Sequence, residues 1–325
     1  MSETCGNAVL DGDRLILKQS PPLGPATLLG YCQSGYRLAV GTHNQVYTWL
    51  PQSWCGMVHP YVTSIGHKLL SGCRGYQLAP VSRVVATIAE GCQVKMGLID
   101  NRIDQPHTTL QHTAEVAAIA LAADGRILAS ACAGRNSVVT VWDVQRETIK
   151  RVMVPDYWAP LMAISPDGCY LAQAGESGTV KVWDIRSGTH RIFDVDNAAS
   201  IRSLAISLDG GLVVAGTDQG WVGLADLGRP YPSSHAGQAW IRWQRCHHDG
   251  PVTSLEFALD GQSVFSGGED GQIIQIDASG RKLASIVPQA GTRVISIVPL
   301  PTHGSLIVTR ASGLGYEVAP QAIAP

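Results

Sequence analysis

Apolar and polar positions alternate along this chain in short runs, and the runs recur on one plan. Four segments, 116–144, 161–185, 201–227 and 252–278, share it. Each opens on a short apolar run that breaks at Asp-Gly: Asp124-Gly125, Asp167-Gly168, Asp209-Gly210 and Asp260-Gly261. Asp-Gly between apolar runs predicts a hairpin, because glycine accepts positive φ and the aspartate carboxylate bonds its own backbone. A second run rich in small residues follows, then another Gly-bearing hairpin. A third run closes the segment on Trp142-Asp143, Trp183-Asp184, Ala225-Asp226 or Ile276-Asp277. From turn Asp to closing Asp the distances are 19, 17, 17 and 17 residues, the longer one carrying an insertion near Gly134. Short alternating runs bounded by turn residues read as strands.

The template extends outward to Tyr316-Glu317 after a strand over 305–309, Ile99-Asp100 after 84–89, and Trp49-Leu50 after 37–40. Repeats then end near 49, 99, 142, 183, 225, 276 and 316, spaced 50, 43, 41, 42, 51 and 40 residues apart, which leaves room for a fourth strand in each. Four-stranded sheets recurring at this period form the blades of a propeller. The expected fold is all-β: a seven-bladed β-propeller of four-stranded antiparallel blades, one domain over residues 1–325. Small residues recur on the second strand at Ala129 and Ala131, Ala172 and Ala174, Ala215 and Gly216, and Gly267 and Gly268. Inner strands converge there, where large side chains would collide.

The Ser165-Pro166-Asp167-Gly168 turn, the 178–184 strand Gly-Thr-Val-Lys-Val-Trp-Asp and the 266–271 hairpin Ser-Gly-Gly-Glu-Asp-Gly resemble the WD-repeat family, most strongly over 112–278. The resemblance implies a tetrad per blade: a His before the first strand, Ser or Thr on the second, Asp at the second hairpin, and Trp on the third. No blade here holds all four. One offers His112, Ser130 and Trp142 with Asn136 at the Asp position; another offers His248, Ser266 and Asp270 with Ile276 at the Trp position. Trp183 takes the third-strand position of the blade between them. The resemblance further implies that a strand over 14–18 supplies the outer strand of the last blade and so closes the ring.

Composition narrows the chemistry. With 45% hydrophobic and 15% charged residues and a net charge of −2, the chain can bury a large core and carries no global field for nucleic acid or anionic membrane. Eight cysteines are scattered without a Cys-x-x-Cys pair, and no leader-like or membrane-spanning apolar stretch is present. These features suggest a cytoplasmic or nuclear protein with free, buried thiols. No phosphate-cradling loop occurs, and Gly175-Glu176-Ser177-Gly178 lacks the spacing of a nucleophile elbow. Cys246-His247-His248 is the one cluster of metal-ligand types, but neighbours on a strand point to opposite faces, and His248 fits the structural His. No metal, cofactor or catalytic residue is expected.

The reading is a non-catalytic protein–protein interaction scaffold, a monomeric propeller serving as subunit or adaptor in a hetero-complex, without direct nucleic-acid or membrane binding. A phosphoinositide-binding propeller is the alternative from another class. It would need Phe-Arg-Arg-Gly, whereas Phe193, Phe257 and Phe265 precede Asp, Ala and Ser. A propeller enzyme would need converging acids or histidines. By the family's template the top rim takes the loops before first strands and between second and third strands. That places Tyr157, Trp158, Glu176, Arg202, Asp218, Glu269, Arg293 and Arg310 at the expected partner-binding face. Loop-like insertions over 51–67 and 228–238 are further candidates.

Overall fold

The computed structural model describes residues 8–11, 14–17, 27–32, 37–42, 45–49, 63–65, 76–79, 81–82, 84–89, 92–98, 108–133, 138–155, 160–195, 199–228, 241–259, 261–286, 293–299, 306–310 and 315–318. The regular elements among them are β-strands. They begin with β1 (Ala8–Asp11) and β2 (Arg14–Leu17), followed by β3 (Thr27–Cys32), β4 (Arg37–Thr42), β5 (Gln45–Trp49) and β6 (Thr63–Ile65). The second group is β7 (Tyr76–Ala79), β8 (Val84–Ala89), β9 (Gln93–Leu98) and β10 (Thr108–Gln111). The third is β11 (Val116–Leu121), β12 (Ile127–Cys132), β13 (Val139–Asp143) and β14 (Thr148–Met153). Next come β15 (Leu161–Ile164), β16 (Tyr170–Ala174), β17 (Thr179–Asp184) and β18 (His190–Asp194), then β19 (Ile201–Ile206), β20 (Leu212–Thr217), β21 (Trp221–Asp226) and β22 (Ile241–Cys246). The last groups are β23 (Val252–Phe257), β24 (Ser263–Gly268), β25 (Ile273–Asp277) and β26 (Lys282–Ile286), and β27 (Val294–Pro299), β28 (Leu306–Arg310) and β29 (Gly315–Val318).

Each group is one antiparallel sheet whose strands pair in chain order, and the last carries β1 and β2 as well, in the order β1-β2-β29-β28-β27. Four-stranded antiparallel sheets repeated in this way match the plan of a β-propeller. First strands of successive sheets touch: β3 on β7, β7 on β11, β11 on β15, β15 on β19, β19 on β23 and β23 on β27, while β27 touches β3.

The dipeptide signals explain the local geometry. Gly125, Gly168, Gly210 and Gly261 sit at φ of 74°, 68°, 71° and 66°. Each donates its N–H to the carbonyl three residues back, the bond of a β-turn that ends on a left-handed residue. The carboxylate of Asp167 accepts from the Ser165 hydroxyl at 2.5 Å and from Cys169 N at 3.0 Å; Asp209 does the same with Ser207 and Gly211. The closing acids hold the turn into the fourth strand. Asp184 accepts from Arg186 N and Ser187 N, Asp226 from Gly228 N, and Asp277 from Ser279 N and Arg281 N. In four sheets that acid lies opposite the first residue of the second strand: Ile127↔Asp143, Tyr170↔Asp184, Leu212↔Asp226 and Ser263↔Asp277. The sequence repeat is therefore a structural register.

Core clusters lie between consecutive sheets. One joins Val182 and Phe193 of one sheet to Ile201 and Val213 of the next; another joins Leu224 and Trp243 to Leu255 and Ile274. The small second-strand residues answer to the neighbouring sheet rather than to a crowded axis alone. A Cβ on Gly216 would stand 2.6 Å from Val252 Cγ1, and one on Gly267 would stand 2.5 Å from Val294 Cγ1. Each glycine lets the next first strand close in.

Three expectations need correction. The N-terminal segment forms two paired strands, not one, so the last sheet has five strands: Asp11↔Arg14 pair between β1 and β2, and Leu15↔Glu317 and Ile16↔Tyr316 join β2 to β29. Residues 63–65 of the expected 51–67 loop are a strand paired with β5. Among the described cysteines, all free, Cys132 is buried but Cys169 and Cys246 are exposed, because strand ends and turns leave one face open to solvent.

Candidate functional site

One end of the sheets gathers the hairpins between second and third strands together with the segments that lead into first strands. Backbone bonds tie the two sets. Ala133 N donates to Glu115 O, Asp218 N to Ser200 O and Glu269 N to Pro251 O within their own repeats. Ile201 N reaches Gly175 O, and His247 N reaches Gly220 O, across to the preceding hairpin. These bonds knit the rim together over the fourth, fifth and sixth sheets.

Two buried networks brace this rim. His248 is 2% exposed; its Nδ1–H donates to Asp270 at 3.0 Å, and its Nε2 accepts from the Ser266 hydroxyl at 2.9 Å. Asp270 also accepts from Gln272 N and Asp249 N, so one carboxylate sets both the hairpin and the leading loop. In the other network, His112 Nδ1–H donates to Leu110 O at 3.2 Å, which fixes the tautomer, and Nε2 accepts from Ser130 at 2.7 Å. Trp142 Nε1–H donates to the same hydroxyl at 3.0 Å. Burial lowers both histidines below the usual imidazole range, with the Asp270 carboxylate pulling His248 the other way. The imidazoles are thus neutral at pH 7. Trp183 Nε1–H finds Gln173 Oε1 at 3.0 Å, Gln173 occupying the register of Ser130 and Ser266. Counting 11 residues back from Asp184 and Asp277 lands on Gln173 and Ser266, so the sequence held that signal.

The expected binding residues divide as follows. Glu176 and Glu269 project from second hairpins and are exposed; Arg293 precedes β27, 3.8 Å from Glu269. Such an exposed pair adds little stability, about 0–1 kcal/mol, and leaves both groups open to a partner. Arg202 is exposed and lies inside β19, at a bulge between Ile201 and Ser203 that re-aims it. Asp218 is half-buried and accepts from Ser200 N. Tyr157, Trp158 and Asn136 lie outside the described residues, as does the Arg310 side chain; Arg310 ends β28.

Cys246, His247 and His248 do not converge. Both ring nitrogens of His248 are engaged, the Cys246 thiol donates to backbone carbonyls, and His247 stands edge-on to Trp243 at 6.0 Å. Burial drops His247 to about 4. No group of three or more metal-ligating side chains occurs among the described residues. Among them, too, no helix is long and apolar enough to cross a membrane.

Glu256 went unnoticed in the sequence. It stands four residues before Asp260, where Ala120, Ala163 and Ala205 stand before their turns. On first strand β23 it keeps contact with solvent while protein atoms crowd round it, and this burial raises its carboxyl to about 7. The strands packed on β23 are β19, β20, β24 and β27, and they offer one charged side chain, Arg202.

These sheets and networks resemble those of WD-repeat proteins, and three stretches of the chain match that family. The family model described as WD domain, G-beta repeat matches residues 104–143, 161–184 and 242–277. The chain is 29% identical to Protein groucho of Drosophila melanogaster over 154 residues, 47% of this chain and 19% of that protein. It is 29% identical to Target of rapamycin complex subunit wat1 of Schizosaccharomyces pombe, over 39% of this chain and 40% of that protein. With WD repeat-containing protein 91 of Danio rerio it shares 34% identity over 30% of its length and 13% of the relative's. The matches thus span well under half of each relative, and they resemble the family without singling out a member.

Proposed function

We propose that this chain is a non-catalytic interaction scaffold, a subunit or adaptor of a multiprotein complex, built as one seven-bladed ring closed by its paired N-terminal strands. The seven sheets, the contact of β27 with β3 and the pairing of β2 with β29 support the ring. The observation that carries the function is the rim itself. Glu176 and Arg202 flank the Ile201 N to Gly175 O bond between repeats, Glu269 is held by Pro251 O of its own repeat, and Arg293 faces Glu269 at 3.8 Å, which preorganises a surface of mixed charge. Mixed charge on a rigid frame suits a protein or peptide partner better than a polyanion. Kinship with a protein named as a complex subunit points the same way.

The test is affinity capture of the tagged full chain from its source cells, read by quantitative mass spectrometry, for wild type and for Arg202→Glu with Glu269→Arg. A stoichiometric set of companions, depleted together by the charge reversals, is expected. Companions recovered equally by both forms would remove the rim from the account, and none recovered by either would overturn the scaffold.

A further inference from the structure

The outer edge of the third sheet differs from its counterparts. Ile149 on β14 is 55% exposed, Val152 53%, and Val154 just beyond the strand 64%. These are half of the exposed large hydrophobics among the described residues; the others, Val81, Leu208 and Leu259, stand apart on turns. In β10, β18, β22 and β26 the exposed positions are polar side chains and one cysteine, with no large aliphatic: Thr109 and Gln111, His190, Arg242, Arg245 and Cys246, Lys282. Charged and polar residues are how proteins guard an open strand edge. β14 ends its sheet, so its outer backbone groups face no further strand. The bulge at Lys150 does not set it apart, since β22 and β26 carry the same irregularity.

Direction of the side chains adds a second observation. Ile149 lies opposite Trp142 and Val152 opposite Thr140, so both apolar side chains share the sheet face on which Trp142 packs against the preceding sheet. Basic groups flank them on the strand and on the next sheet. Lys150 and Arg186 are exposed, and Arg151 donates to Arg186 O rather than to a carboxylate. Of the acids beside the strand, Asp143 is held by Arg146 at 2.7 Å, while Glu147, exposed in the turn before Thr148, lies at the strand's start.

We infer that β14 is a docking edge for an extended segment of another protein in which aliphatic and acidic residues alternate. The segment adds as a strand: its backbone takes the free edge, its aliphatic residues cover Ile149 and Val152, and its carboxylates meet Lys150 and Arg186. A second copy of this chain fits worse. Antiparallel self-pairing that sets Ile149 opposite Val152 also sets Lys150 opposite Arg151, and like charges directly opposed are destabilising. The site is on the side of the sheets, apart from the rim, so it stands or falls independently of the companions captured there.

The probe is a fluorescent peptide of about eight residues alternating valine and glutamate, one strand's length, with its valine–lysine counterpart as control. Anisotropy titration of the full chain is expected to show binding of the glutamate peptide alone, weakened by salt. Ile149→Lys and Val152→Lys, at exposed positions that leave folding intact by circular dichroism, should each weaken it about tenfold or more. Glu176→Arg on the rim should leave it unchanged. Absence of binding, equal binding of both peptides, or indifference to Val152→Lys would overturn the inference. So would a wild-type dimer in sedimentation that Val152→Lys dissolves, since the occupant would then be a second copy.

Discussion

Replacing His248 by alanine tests whether the buried network at the rim is a stability element. The ring is 2% exposed and joins Asp270, at 3.0 Å, to Ser266, which is fully buried. Its loss removes a charge-assisted hydrogen bond worth about 1.5–3 kcal/mol. Asp270 keeps two backbone donors, and Ser266 can still turn to Ile274 O at 3.4 Å, so part of the polar loss is recovered. The vacated ring volume adds a cavity cost, bringing the expected total to about 3–4 kcal/mol. Against a typical stability of about 5–15 kcal/mol this is a large fraction. Asp270→Ala should cost about 2–3 kcal/mol, and the double variant less than the sum by at least about 1 kcal/mol, because one bond is lost in both. Urea titration followed by circular dichroism measures each midpoint. A loss under about 1 kcal/mol for His248→Ala, or strict additivity in the double variant, would refute the network's role.

Glu256→Gln should raise the melting temperature at pH 8 and leave it unchanged at pH 4. The folded pKa of about 7 exceeds the unfolded value, so stability is full below the unfolded pKa and is lost as pH rises toward 7. A pH-independent effect would contradict the crowded setting of that carboxyl. Gly216→Ala places a Cβ 2.6 Å from Val252 Cγ1 on the next sheet and should destabilise by about 1–3 kcal/mol in the same urea assay; a neutral result would mean the sheets can part there freely. Deleting residues 1–18 removes β1 and β2, bares the β29 edge, and should lower the melting temperature and promote aggregation. Unchanged calorimetric unfolding would dismiss closure by the paired N-terminal strands.

Features written in local chemistry were readable from the chain. Asp167-Gly168 and Asp209-Gly210 announce their turns because one residue supplies the carboxylate and the next the left-handed backbone. The closing acids kept their spacing because each caps a turn in a fixed register. Nonlocal features were not readable. The role of Gly216 depends on Val252, 36 residues on, and Arg202 is turned outward by a bulge that only strand pairing creates. The exposure of Ile149 and Val152 is invisible in the run Thr-Ile-Lys-Arg-Val-Met, since the same residues on a covered edge would be core. Gln173 and Glu256 sat at countable positions, but their residue types break the pattern that a repeat search rewards.

Hydrogen–deuterium exchange of the full chain, alone and within the complex captured from its source cells, tests the scaffold at the rim most directly. The account predicts slowed exchange in the second hairpins, over 175–178, 217–220 and 268–271, with the opposite-end turns at 166–168 and 208–210 unchanged. Protection confined to those opposite-end turns, or identical exchange in both samples, would contradict it.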